Sequence, residues 1–368
     1  MPSHNTDNNT IVSLFSGGGG LDIGFESEGY KIIWANDNME NAVRTYKANI
    51  SDNIICADIN EVDIETIPKA DIVIGGPPCQ SFSLAGKRHT EDARGKLVWR
   101  YIDIIKHVMP KAFVFENVTG LLSAKDKSGH KILPKLIDTF KDIGYTVNYK
   151  VLNAADYGVP QRRRRVIIVG LLGGDKFIFP DPTHNEDGTD GLKKYVSASE
   201  AIGDLIGKLE DNGSKIYSSK AKNDFQRLMR DGQSSTSDHY PPKMSELDKF
   251  IVEHVKPGGN YMDIPTTVNS KRIRRLQKDG GHTTCYGRLS PDKPSYTINT
   301  YFNRPNVGCN IHYAENRLIT AREALRFQSF PDWYKIVSTS KQDRNTIIGN
   351  AVPPLLGKAI AKQLRKFL

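Results

Sequence analysis

The chain has 368 residues, of which 38% are hydrophobic, enough to bury a substantial core and to divide into one large and one smaller lobe. No run approaches the roughly eighteen consecutive apolar residues of a membrane span, and Met1 to Thr10 is polar, so neither a membrane-spanning nor a secreted chain is expected and a reducing cytoplasm fits. Net charge is +9 with a pI of about 9.1, which points to a polyanionic partner, and the four cysteines, Cys56, Cys79, Cys285 and Cys309, lack the Cys-x-x-Cys spacing of a zinc site.

Ile11 to Phe15 reads as a strand, Leu21 to Glu28 as a helix, Lys31 to Ala35 as a strand and Asn41 to Ala48 as a helix. A strand at Ile72 to Ile74, a helix around Trp99 to Val108, a strand at Ala112 to Phe115 and a helix around Ile132 to Ile143 follow. Two further strands lie around Thr146 to Leu152 and Val166 to Gly170. Alternation of this kind predicts an α/β fold with a mostly parallel, doubly wound sheet. After about Pro180 the texture changes. Asp181 to Gly188 is a loop, Gly232 to Pro242 is rich in Ser, Gly, Asp and Pro, and periodicity stays weak to about Asn310, which reads as a second, smaller, irregular lobe. A helical pattern returns at Ala321 to Phe327, and Leu355 to Leu368 reads as an amphipathic basic helix that rejoins the first lobe.

Phe15-Ser16-Gly17-Gly18-Gly19-Gly20 follows the first strand and opens a helix, the place where Rossmann-like folds bind a nucleotide cofactor. The Gly-x-Gly-x-x-Gly register is not met and no phosphate-loop Lys follows, so a pyrophosphate is not the expected ligand. Asp37, at the end of the second strand, is placed to accept from two ribose hydroxyls, and Asp58-Ile59 to hold an adenine by its amino group and one face. An adenosyl group without phosphates points to S-adenosylmethionine. The plainer alternative is a tight turn, with both acids capping helices.

Cys79 stands just past a short buried strand, behind Gly76-Pro77-Pro78 and ahead of Gln80-Ser81-Phe82-Ser83-Leu84-Ala85-Gly86-Lys87-Arg88. Most lone cysteines are inert core residues. A thiol followed by small and polar residues is poorly placed for burial, however, and well placed to act as a thiolate nucleophile. Glu116, in Phe115-Glu116-Asn117-Val118, puts a carboxyl group at the same edge of the sheet, although it also fits as the neighbour of a helix cap. A thiolate, a carboxyl group and a methyl donor form a coherent set for cytosine C5. Addition at C6 makes C5 enamine-like, and a carboxyl group at N3 stabilises the adduct. The basic clusters Arg162 to Arg165 and Lys271, Arg272, Arg274 and Arg275 each fit a solvated face, but with the global excess they favour nucleic acid.

In this order along nearly the whole chain, the motifs resemble those of DNA (cytosine-5) methyltransferases of the bacterial restriction-modification type. The matching segments are Phe15 to Gly20, Gly76-Pro77-Pro78-Cys79-Gln80-Ser81, Glu116-Asn117-Val118, Gln161-Arg162-Arg163-Arg164-Arg165, Arg317-Leu318-Ile319-Thr320-Ala321-Arg322-Glu323 and Gly349-Asn350-Ala351-Val352-Pro353-Pro354. The resemblance implies a Rossmann-like S-adenosylmethionine-dependent methyltransferase sheet with helices on both faces, plus a smaller, irregular, mostly β target-recognition lobe. Residues 1–180 are then the catalytic and cofactor-binding domain, 181–310 the target-recognition domain and 311–368 a segment returning to the catalytic domain.

By position, Cys79 resembles the family's nucleophile, Glu116 its acid at cytosine N3 and Arg165 the arginine at cytosine O2, with Gln161 and Arg163 supporting the loop and the DNA backbone. Phe15, Gly17, Gly19, Asp37, Asp58, Ile59, Pro78 and Asn350 look like cofactor contacts. Gln80, Ser83 and Arg94 belong to a loop expected to close over a flipped base, and Thr297-Ile298 resembles a pair of the recognition lobe. Lys271 to Arg275, Arg272, Arg274 and Arg275 among them, and Gly280 to Arg288 are the candidate base readers. Two departures stand out: Asn38 follows the ribose acid where an aromatic is frequent, and Ser329 stands where a Gly is usual, a change expected to be harmless. No metal is expected. Duplex DNA is the implied substrate, a monomer the implied state, and a restriction endonuclease acting on the same site without direct contact the implied companion. A tRNA cytosine-5 methyltransferase shares this apparatus but has a much shorter recognition lobe, a silent DNA-binding protein has no use for Cys79, and Gly76-Pro77-Pro78-Cys79 contradicts an adenine amino-methyltransferase.

Overall fold

The computed structural model of the chain describes residues 9–78, 93–126 and 129–368, and of 93–96 the backbone alone. Seven strands form one sheet: β1 (Thr10–Leu14), β2 (Lys31–Asp37), β3 (Ile54–Cys56), β4 (Ile72–Gly75), β5 (Ala112–Val118), β6 (Tyr145–Asn153) and β7 (Arg164–Leu172), in the order β3-β2-β1-β4-β5-β7-β6. Pairing is parallel from β3 through β5, and β7 runs antiparallel to both β5 and β6. The chain moves outward from β1 to β3 and then returns to the other side of β1 as β4. An open α/β sheet has its ligand crevice at such a reversal, beyond the C-terminal strand ends. Leu14 lies opposite Gly75, which sets the glycine turn after β1 beside Gly76-Pro77-Pro78 after β4.

Strand alternation explains how the sheet is covered. Val12, Leu14, Val73, Phe113, Phe115, Val166 and Ile168 share a core with Tyr101 and Ile105 of α3 (Ala93–Val108) and Leu136 and Phe140 of α4 (Ile132–Asp142). Their neighbours Ile11, Ile72, Ile74, Val114, Ile167 and Val169 point to the opposite face and are buried as well, so both faces are packed. Elsewhere in this unit α1 (Gly20–Glu26) packs on α11 (Pro354–Leu364), with the Tyr30 hydroxyl donating to the Ala361 carbonyl at 3.0 Å. The two backbones approach so closely that a Cβ at Gly24 would stand 2.5 Å from the Pro354 carbonyl oxygen. The expected elements, α2 (Glu40–Asn49) among them, are present with ends displaced by a few residues. Strand β3 was not anticipated, because three residues carry no readable period.

The chain divides into two compact units, one of residues up to Asn153, Arg164–Asp181 and Val352–Leu368, the other of Ala154–Arg163 and Pro182–Ala351. The second is irregular, as expected, but the expectation of a mostly β lobe is corrected. Its described strands are two or three residues long, whereas its helices are α5 (Ala198–Ile202), α6 (Asp224–Arg230), α7 (Glu246–His254), α8 (Lys271–Asp279), α9 (Ala321–Phe327) and α10 (Lys341–Asn350). Several Ser and Asn residues of this unit are helix caps. Asn223, Ser245, Ser270 and Ser340 each accept from an N–H in the first turn, and Ser245 and Thr320 complete capping boxes with Asp248 and Glu323.

Ser329 stands in a turn that favours glycine. It adopts φ 59°, the left-handed region, which explains why glycine is usual there; a serine carries about 1 kcal/mol of backbone strain in that conformation.

Candidate active site

The turn after β1 needs its glycines for different reasons. Phe15 (φ 55°), Gly17 (φ 56°) and Gly19 (φ 82°) are all left-handed, which reverses the chain and opens α1. A Cβ at Gly19 would stand 2.0 Å from the Ile50 side chain, so packing demands glycine there. At Gly17 a Cβ would meet nothing within 4 Å, so the turn presents open space on that side. The Gly17 N–H donates to Asp37 Oδ2 at 2.8 Å, and the Met39 N–H donates to Oδ1 at 2.9 Å. Both carboxylate oxygens are thus aimed by backbone N–H groups. Burial raises the Asp37 carboxyl above the ordinary range despite the N–H groups of Met39, Gly17 and Asn38.

Other predicted cofactor contacts are spread along the chain. Asp58 is exposed and binds the Asn60 N–H and side-chain amide through Oδ1, at 2.9 Å each. Ile59 beside it is buried in the first unit's core, its carbonyl accepting from Arg100 Nε at 3.0 Å. Pro78 is half-buried past β4, and Asn350 is exposed at the end of α10 in the second unit.

Glu116 and Arg165 are brought together by sheet register. Val118 of β5 lies opposite Arg165 of β7, and Glu116, two residues back on the same face, is its diagonal neighbour. Arg165 Nε approaches Glu116 Oε1 to 2.8 Å, with both side chains nearly buried. Burial lowers the Arg165 pKa, and the Glu116 carboxylate works against that shift. The other oxygen, Oε2, faces the strand that leads to Cys79: a Cβ on Gly76 would stand 2.8 Å from it. Asn117, also buried, clamps the same segment by donating to the Pro77 carbonyl at 3.0 Å. The importance of Gly76 and Asn117 was missed in the sequence, although both lie inside motifs already singled out.

Asp22 was likewise missed. It is buried on α1, accepts from the Tyr46 hydroxyl at 2.9 Å, and has no partner for Oδ2 among the described residues. Burial pushes its carboxyl up to about 6.

The remaining candidates take several roles. Gln161 and Arg163 are fully buried struts of the second unit. Gln161 Nε2 donates to the Phe327 carbonyl and to Gln328 Oε1, at 3.0 and 2.9 Å, while its Oε1 accepts from the Ile298 N–H at 2.8 Å. Arg163 donates to the carbonyls of Ile298 and Gly349, both at 3.1 Å. Thr297 is exposed and donates to the Arg162 carbonyl at 2.8 Å. Arg272, Arg274 and Arg275 are exposed on α8, which is anchored by buried Ile273 and by Gln277 donating to the carbonyls of Tyr261 and Ile264. Cys79, Gln80 and Ser83 lie outside the described residues; Arg94 falls in the first turn of α3, its side chain likewise outside them. Among the described residues no cluster of three or more metal-ligating side chains occurs, and no helix is long and apolar enough to cross a membrane.

A profile described as C-5 cytosine-specific DNA methylase matches residues 9–366. The chain belongs to the C-5 cytosine-specific DNA methylases. Among similar proteins, the Type II methyltransferase M.NgoFVII of Neisseria gonorrhoeae is 37% identical over 359 residues, covering 96% of this chain and 86% of that one. The Type II methyltransferase M.FnuDI of Fusobacterium nucleatum is 36% identical, covering 97% and 94%. The fold agrees with the crystal structure of a candidate DNA modification methyltransferase from an E. coli prophage, at a TM-score of 0.74 and 22% identity over 97% of this chain and 99% of that one. This C-5 cytosine-specific DNA methylase is therefore an enzyme of methyl transfer, and the family implies S-adenosylmethionine. Open space at Gly17 and the backbone-aimed carboxylate of Asp37 fit an adenosyl group.

Proposed function

We propose that the enzyme methylates C5 of one cytosine in a short duplex DNA site, as a Type II restriction-modification methyltransferase, through a covalent adduct of Cys79 at C6. The observation that carries this reading is the Glu116–Arg165 pair seated against Gly76, three residues ahead of Cys79. S-adenosylmethionine, when bound, supplies an electrophilic methyl group; Phe15, Gly17 and Asp37 would hold its adenosyl part, with Asp58, Ile59, Pro78 and Asn350 as further contacts.

The protein's own groups do the rest. Cys79 thiolate adds to C6, and the electron pair displaced from the C5–C6 double bond is drawn toward N3, where Glu116 holds a proton, and O2, where Arg165 donates. C5 thereby becomes the nucleophile that takes the methyl group as the demethylated donor leaves; loss of the C5 proton to water and expulsion of the Cys79 thiolate re-form the C5–C6 double bond, and the N3 proton returns to Glu116. Arg165 also orients Glu116 by binding one oxygen and leaving the other toward the reacting base. Gln161 and Arg163 act as positioning residues. The target base must leave the duplex stack, at a cost of roughly a few kcal/mol, and the segment carrying Gln80, Ser83 and Arg94 is assigned to closing over it. Residues 1–180 and 311–368 would carry catalysis and 181–310 recognition, with Arg272, Arg274 and Arg275 on α8 at base edges or phosphates and Thr297 at the backbone.

Incubation with labelled S-adenosylmethionine and unmethylated genomic DNA, followed by bisulfite sequencing, tests this directly. Protected cytosines in one short recurring motif are expected. Label entering tRNA instead, or no label at all, would overturn the reading.

A further inference from the structure

The second unit contains a cavity of about 520 Å³ at the first turn of α10, bounded also by Tyr240, Lys243 and Asn303. Three cations line it, Lys243, Lys341 and Arg344, against one carboxylate, Asp211. Arg304 adds a fourth positive charge close enough to act on Lys341. Among the described residues none of these four cations forms an ion pair. Burial, and then the charges of Arg344, Lys243 and Arg304, lower the Lys341 pKa, the mark of positive charge gathered without compensation.

Two further observations concern the chemistry of this wall. The Arg344 guanidinium lies over the Tyr240 ring at 5.5 Å, and its buried Nε donates to nothing among the described residues. Lys341 and Arg344 occupy the first and fourth positions of α10, the helix end whose N–H groups and dipole already favour an anion and disfavour cations. Asp343 is the acidic residue of that turn, its N–H bonded to Ser340 Oγ at 3.2 Å. Asn303 and Asn345 bring neutral amide groups to the same wall.

We propose that this cavity is a phosphate-binding site in which Lys243, Lys341 and Arg344 hold one phosphate group. Phosphate oxygens accept from several directions at once, so the lysines can bind as point charges while the guanidinium edge donates. The space exceeds that of a bare phosphate and takes part of an attached sugar. None of these residues belongs to the catalytic, cofactor or base-reading sets. That the phosphate comes from a DNA backbone rests on the substrate proposed above; free phosphate is the other source.

Anisotropy of a labelled duplex, titrated between about 50 and 200 mM salt, reads the phosphate contacts directly. Lys243→Gln combined with Lys341→Gln is expected to reduce the slope of log K against log salt by about 0.9 for the one phosphate lost, and Lys341→Arg alone to retain the wild-type slope. Calorimetry with inorganic phosphate separates the two sources. An unchanged slope, with phosphate heat that the double variant loses, keeps the site and assigns it to free phosphate. An unchanged slope without such heat overturns the proposal. Wild-type protein that takes up phosphate but binds no duplex removes the DNA reading and leaves the site standing.

Discussion

Replacing Gly76 by alanine probes the site with a single methyl group. Its backbone is not in the left-handed region, so the substitution acts through the Cβ, which would stand 2.8 Å from Glu116 Oε2. An ordinary contact begins near 3.4 Å, so the carboxylate must retreat by roughly 0.6 Å. Its other oxygen is held 2.8 Å from Arg165 Nε, which resists that movement and shifts with it. A displacement of 1 Å at a reacting group costs on the order of a hundredfold in rate, so Gly76→Ala should lose roughly tenfold to a hundredfold in kcat. That corresponds to about 1.4 to 2.7 kcal/mol of transition-state stabilisation. Single-turnover transfer of labelled methyl groups to a duplex substrate measures it. Cofactor affinity, read by calorimetry, should stay within a few-fold, because Gly76 is not among the proposed cofactor contacts. Glu116→Gln sets the lower limit of rate. Full activity in Gly76→Ala alongside a crippled Glu116→Gln would refute the geometry argued for Glu116.

Cys79→Ser should abolish methyl transfer while DNA and cofactor binding stay within a few-fold; turnover in that variant would sink the covalent route. Asp22 gives a pH signature. Its folded carboxyl is raised from 3.8 to about 6, so the stability it contributes is fully present below 3.8 and is lost as pH rises through about 6. Asp22→Asn should leave stability unchanged near pH 4 and raise it by at most about 3 kcal/mol at pH 8, measured by urea unfolding. Burial alone would raise the Glu323 carboxyl, but Arg317, bonded to both of its oxygens at 2.8 and 2.6 Å, holds it well below the ordinary carboxylate range. Its stabilisation is present above 4.5 and is lost as pH falls below that. Glu323→Gln should cost about 1–3 kcal/mol at neutral pH, since the buried Arg317 then keeps only the half-buried Glu315 as its carboxylate partner, and a loss under about 0.5 kcal/mol would show the pair to be dispensable.

The sheet was legible because stretches such as Ile72–Gly75 and Ala112–Phe115 are buried on both faces and therefore apolar, with helices of readable period between them. Asp37 and Glu116 were legible for a related reason: each is an acid at the end of such a run. The pairing of Glu116 with Arg165 was hidden, because antiparallel register between β5 and β7 is a tertiary fact separated by a long excursion of chain. So was the burial of Gln161 and Arg163, which a run of four arginines makes look like solvent-facing charge. In the second unit the helices are short, and their anchors are spread over several segments. Ile251, Ile273, Tyr286 and Leu318 share one core without sharing a period.

The seat of α1 has a consequence in the time it takes to make the protein. Tyr30 and the carbonyl it binds on α11 are 331 residues apart. At about 5–20 residues per second a ribosome needs on the order of half a minute to travel between them. Through that interval the glycine turn heads a helix of seven residues that has Tyr46 of α2 beside it but lacks α11, and a helix that short does not hold its shape alone. The bracing of the glycine turn is thus completed late, when α11 closes over α1.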